Sequence, residues 1–112
     1  MLNINVSDQG QVSIVEADGR IDSSTASQLG EAMKAVIEDG FHKIVLDIGG
    51  IDYMSSAGLR EIVMTLKTVR KNEGDLRMSR VSERVYEVLE LSGLDTILQF
   101  YDSQADAVSS FQ

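Results

Sequence analysis

The run Lys43-Ile44-Val45-Leu46-Asp47-Ile48 leaves this chain few options. Its apolar residues are consecutive, partly β-branched and too few for a helix, which is the pattern of a strand buried on both faces. Such a strand requires cover above and below, so the fold class follows as α/β with a mostly parallel sheet. Gly49-Gly50 reads as the end of the strand.

The flanking patterns supply the rest of the order. Leu2, Ile4 and Val6 alternate with polar residues, Asp8-Gln9-Gly10 offers a turn, and Val12 and Ile14 resume the alternation, giving a hairpin. Ser23, Ser24 and Thr25 offer N-caps for a helix carrying Ala26, Leu29, Met33, Val36 and Ile37. Leu59, Ile62, Val63, Leu66 and Val69 form a second helical stripe, Leu76-Arg77-Met78 a short strand, and Val85, Val88 and Leu89 a third helix. Ile97 to Tyr101 reads as the last strand, and Ala105 and Val108 as a terminal helix. Gly40, Gly74 and Gly93 close three helices, where a left-handed cap costs least without a Cβ. The order is β-β-α-β-α-β-α-β-α: a mixed, mostly parallel sheet with right-handed crossovers and helices in cover. At 112 residues the chain is expected to be a single domain, 1–112.

Charge and composition narrow the chemistry. Eighteen acidic against ten basic residues give a net charge of −8, a field that repels phosphate backbones and anionic lipid, so neither nucleic acid nor membrane insertion is expected. The N-terminus lacks the basic and apolar regions of a signal peptide, which points to the cytoplasm. With no Cys and one His, His42, there is no thiolate chemistry, no zinc-ligand spacing and no expected cofactor. Asp102 and Asp106, read as sharing a helix face, lack the oxygen count of a calcium loop.

Interest concentrates on Tyr53-Met54-Ser55-Ser56-Ala57-Gly58-Leu59-Arg60, between the central strand and the second helix. As a nucleophile elbow it fails: Met54 stands where the first glycine belongs, and no base lies downstream of Ser56. The chain is therefore not expected to be an enzyme. Ser55 or Ser56 could be the helix N-cap, its oxygen accepting a free backbone N–H. Alternatively Ser56 is a phosphate acceptor, since N–H groups at a helix start suit an added anion.

The residues at this point resemble a known family. Gly19-Arg20-Ile21-Asp22-Ser23-Ser24-Thr25-Ala26 is similar to the G-x-[LI]-D-x-x-T-A stretch of STAS domains. Ile44 to Asp47, followed by Ile51 to Leu59, resembles the family's strand and its D-S-[ST]-G-L phosphorylation motif, and Leu91-Ser92-Gly93-Leu94 its late L-x-G-L stretch. Single-domain bacterial members most often resemble anti-sigma factor antagonists. The resemblance implies a protein that binds an anti-sigma factor serine kinase when dephosphorylated, frees a sigma factor, and is released on phosphorylation. A PP2C-type phosphatase would restore it. Alignment on Met54 and Gly58-Leu59 makes Ser56 the acceptor and Ser55, which replaces the family's usual Asp, the second candidate. The partner-binding face it implies comprises Asp22, Ser23, Ser24, Met54, Ser55, Gly58, Arg60 and Met64. Asp22 reads equally as a recognition carboxylate or as a capping one. Two alternatives stand beside this: an unphosphorylated STAS scaffold or cytoplasmic partner of a lipid-transport ATPase, and a nucleotide- or small-ligand-binding domain suggested by the free helix start.

Overall fold

A computed structural model describes residues 1–112. Five strands form one sheet in the order β1-β2-β3-β4-β5. The hairpin pairs β1 (Leu2–Gln9) antiparallel with β2 (Val12–Ile21); β3 (Lys43–Met54), β4 (Asp75–Ser79) and β5 (Gln99–Tyr101) follow in parallel. Four helices connect or close the strands: α1 (Ala26–Glu38), α2 (Ser56–Lys71), α3 (Glu83–Leu91) and α4 (Gln104–Ser109), with a 3-10 turn at Leu94–Thr96. The expected fold class and element order are both present. No helix is long and apolar enough to cross a membrane.

The run Lys43 to Ile48 occupies the middle strand of the sheet and buries both faces. Ile44, Leu46 and Ile48 join a core with Leu29 and Met33 of α1, Ile62 and Leu66 of α2, and Val85 and Leu89 of α3. Val45 points the other way, into a smaller core with Val12, Ile14, Ala107 and Val108 under α4. Each buried aliphatic side chain contributes roughly 1.5–3 kcal/mol, so the larger core dominates the stability.

Four local expectations are corrected. First, Gly49-Gly50 do not end β3; the strand continues to Met54, with irregular register against β2. The glycines are there because other side chains lie where their Cβ atoms would be: Arg80 Cζ at 2.8 Å from that point on Gly49, and the Asp18 carboxylate on Gly50. Second, Gly40 and Gly93 adopt left-handed φ of 97° and 81°, but at the end of α2 it is Glu73 that does so, at φ 62°. Gly74 is required instead for close approach, since a Cβ there would overlap the His42 carbonyl. Third, the last strand starts at Gln99 rather than Ile97, because the 3-10 turn takes up the preceding residues. Fourth, Asp102 precedes α4, so it shares no helix face with Asp106.

Candidate functional site at the start of the second helix

The extension of β3 delivers Met54, Ser55 and Ser56 to the end of β2. Ser55 N–H donates to the Ile21 carbonyl (2.8 Å), the last contact before the chain turns into α2. Ser55 is extended, with φ −93° and ψ 168°, and its Oγ accepts from Gly58 N–H at 3.2 Å. Its carbonyl accepts from Leu59 N–H. The open choice between the serines is thereby resolved: Ser55 is the N-cap, and Ser56 is the first helical residue, exposed and relieved of capping.

Beneath the turn the packing is tight. Gly58 is buried, and a Cβ on it would overlap Ile21 Cγ2 and come within 2.6 Å of Met54 Sδ. Met54 itself is only 5 % exposed. Met54 and Gly58 were expected on the partner-binding face, and this is corrected: both are buried, Met54 in the main core and Gly58 against Ile21 and Met54.

The Asp22 loop lies alongside, because Ile21 touches both Ser55 and Gly58. Asp22 Oδ1 accepts from Ser24 Oγ–H (2.7 Å), Ser24 N–H (2.9 Å) and Thr25 N–H (3.0 Å). The bonds from Ser24, then those from Thr25, outweigh desolvation and lower the carboxyl from its ordinary 3.8 to about 2. Asp22 therefore serves the turn; Thr25, formally the N-cap of α1, makes no side-chain cap of its own. Ser23 and Ser24 are exposed at this end of the sheet. Arg20 lies with its guanidinium 4.4 Å from the Tyr53 ring centroid, its strand neighbour, and its Nε is 3.8 Å from Asp22 Oδ2.

Arg60 and Met64 continue from Ser56 at four-residue spacing along the exposed side of α2, with Met64 58 % exposed. The one imidazole, His42, lies just before β3 and is separated from Ser56 by the whole 12-residue strand. No three His, Asp or Glu side chains converge as metal ligands would.

A second polar cluster escaped the sequence. Asp47, fully buried, accepts from Arg80 Nε at 2.8 Å (Oδ2), Gln104 Nε2 at 2.7 Å (Oδ2) and Gly49 N–H at 3.0 Å (Oδ1). Arg80 also reaches Glu16 at 3.3 Å. Burial pushes the Asp47 carboxyl up, but the bonds from Arg80, Gly49 and Gln104 and the Arg80 charge together hold it below its ordinary value. This cluster ties β2, β3, the end of β4 and α4 together. Arg80 lies 33 residues from Asp47 in the chain, and only a fold could have joined them.

Comparison with known proteins agrees with this arrangement. A family model described as the STAS domain matches residues 3–107. BtrV of Bordetella bronchiseptica is 35% identical over 94 residues, covering 84% of this chain and 81% of that one. The anti-sigma-B factor antagonist of Staphylococcus aureus is 31% identical over 97 residues, covering 87% and 90%. Among solved structures, an anti-sigma factor antagonist from Mycobacterium paratuberculosis superposes with a TM-score of 0.89 at 27% identity, covering 98% and 93%.

Proposed function

Because the chain belongs to the STAS domain family, we propose that it is an anti-sigma factor antagonist, acting as one domain in the cytoplasm, with Ser56 as its switch. Dephosphorylated, it binds an anti-sigma factor that is also a serine kinase, and the sigma factor is freed. The kinase then transfers the γ-phosphoryl group of ATP: Ser56 Oγ bonds to phosphorus, the bond to the β,γ-bridging oxygen breaks, the hydroxyl proton is lost and ADP leaves. A PP2C-type phosphatase returns the serine by hydrolysis. The chain supplies the acceptor and the binding face but no catalytic group.

The observation that carries this reading is the division of labour between the two serines. Ser55 spends its oxygen on Gly58 N–H, whereas Ser56 presents its hydroxyl at the first position of a 16-residue helix. A phosphate there adds about −1.5 to −2 charge beside the positive end of the helix dipole, so α2 holds it without unfolding. The same charge spoils a surface that the neutral serine fits. Serine in place of the usual Asp before the acceptor preserves the geometry, since Ser and Asp are equivalent N-caps. The face offered to the kinase comprises Ser56, Arg60 and Met64 with the Ser23 and Ser24 side of the Asp22 loop.

The test is phosphate uptake from ATP and Mg²⁺ with the host's anti-sigma factor kinase, followed by intact mass. One phosphate is expected on the wild type and on Ser55→Ala, none on Ser56→Ala. Loss in Ser55→Ala with retention in Ser56→Ala would overturn the assignment.

A further inference from the structure

The charges of this protein are unevenly distributed, and the exception lies on the helix that starts at Ser56. Across its 16 residues α2 carries four cations, Arg60, Lys67, Arg70 and Lys71, against one carboxylate, Glu61. The remaining chain holds the other six cations and seventeen carboxylates. Arg70 is committed to Asp75 and to the Ile97 carbonyl. Arg60, Lys67 and Lys71 are exposed and form no ion pair. At helical spacing they share one face with Ser56 and Met64, a ridge of roughly 22 Å at 1.5 Å per residue.

Beside this ridge, α1 and α2 leave an open groove of about 340 Å³. Gly30, Ile37, Met64, Thr65 and Thr68 give it a largely apolar or small-residue lining, with Lys34 at the edge. Gly30 is the reason for the groove's floor, because Glu61 folds across the place where its Cβ would stand. Glu61 and Glu38 are the carboxylates at the rim. An exposed methionine next to such a groove adapts to an inserted side chain better than a branched residue does.

Resting on the phosphorylation switch proposed above, we infer that this ridge and groove dock an acidic surface of the anti-sigma factor, with one apolar side chain of that surface seated beside Met64. Charge complementarity selects the occupant: an acidic surface is attracted by the Arg60, Lys67 and Lys71 ridge, while Glu38 and Glu61 at the rim leave the groove itself to an uncharged, apolar side chain. Continuity with Ser56 explains the coupling. A phosphate of about −2 takes the net charge of α2 from +3 to roughly +1, and does so at the end of the same face. A nucleic acid or anionic bilayer has no single apolar side chain to seat in the groove beside Met64.

The experiment uses the full chain and the kinase that phosphorylates Ser56, with affinity measured by calorimetry at 50 and 300 mM NaCl. Wild-type binding should weaken at the higher salt. Met64→Glu and the double variant Lys67→Glu/Lys71→Glu should each bind at least 10-fold more weakly, and the double variant should lose most of the salt dependence. All three positions are exposed, so thermal melts should stay within a few degrees of wild type and exclude misfolding as the cause. If Ser56→Asp abolishes binding while both sets of variants stay within twofold of wild type, the switch stands and the docking inference is overturned. If the wild type neither binds the kinase nor accepts phosphate, both fall. Binding to phosphatidylserine vesicles that Lys67→Glu/Lys71→Glu abolishes would replace the protein partner by a lipid surface and also overturn the inference.

Discussion

Replacing Ser55 by alanine removes the hydrogen bond from Gly58 N–H and leaves that donor among the orphan groups of the first turn. Loss of a serine cap costs about 1 kcal/mol, within a range of roughly 0.5–2. For a chain of 112 residues this corresponds to a fall in Tm of about 4 °C. Ser55→Asp should recover the whole loss, because aspartate caps as well as serine and adds a carboxylate at the positive end of the dipole, worth about 0.3–1 kcal/mol. Ser56→Ala should lie within about 0.5 kcal/mol of wild type, since an exposed first-turn hydroxyl does no structural work. Urea melts followed by far-ultraviolet circular dichroism at fixed m value give all three numbers. The cap assignment is refuted if Ser55→Ala matches wild type while Ser56→Ala loses the full kilocalorie. It is also refuted if Ser55→Asp is no more stable than Ser55→Ala.

Two further outcomes follow from the packing and charge around the site. Gly58→Ala gains helix propensity of about 1 kcal/mol but drives a Cβ into Ile21, a stiff β-branched neighbour, so a net loss of roughly 1–2 kcal/mol is expected, read as a lower urea midpoint. Asp47 is ionised and held below its ordinary range in the folded state, so its contribution is fully present above the unfolded value near 3.9 and is lost as pH falls through the folded one. Stability measured from pH 6 down to pH 2 should therefore drop below about pH 4. Asp47→Asn should lower stability at neutral pH by about 3 kcal/mol and flatten that acid limb; an unchanged limb would assign it to other carboxylates.

Much of the fold was legible because the apolar runs differ so plainly in period. Ile44 to Ile48 could only be a doubly buried strand, and Leu59, Ile62, Leu66 and Val69 only one face of a helix. The errors lay where a residue type has two physical uses. Gly49 and Gly50 were read as breakers, yet they make room for Arg80 and Asp18; Gly74 was read as a left-handed cap, yet it makes room for the His42 carbonyl while Glu73 takes the left-handed turn. The site was legible in outline, since Ser55 and Ser56 stand at an obvious junction. Which of them caps the helix depends on a hydrogen bond that no spacing reveals. The resemblance places Met54 on the partner-binding face, but β3 runs on past the glycines with a shifted register and buries it. The Asp47 cluster was invisible for a different reason: its members come from distant parts of the chain and share no pattern.

The strands lie in the sheet in the order in which they are synthesised. Each new strand can add to the free edge left by the one before, and none has to be threaded between two that are already paired. A chain built this way can fold as it leaves the ribosome, hairpin first. The groups that turn the chain at Ser56, from Ile21 through Met54 and Ser55 to Gly58 and Leu59, all belong to the first 59 residues. Once α2 is complete at Lys71 the acceptor serine has these local contacts, while β4, α3, β5 and α4 are still to follow.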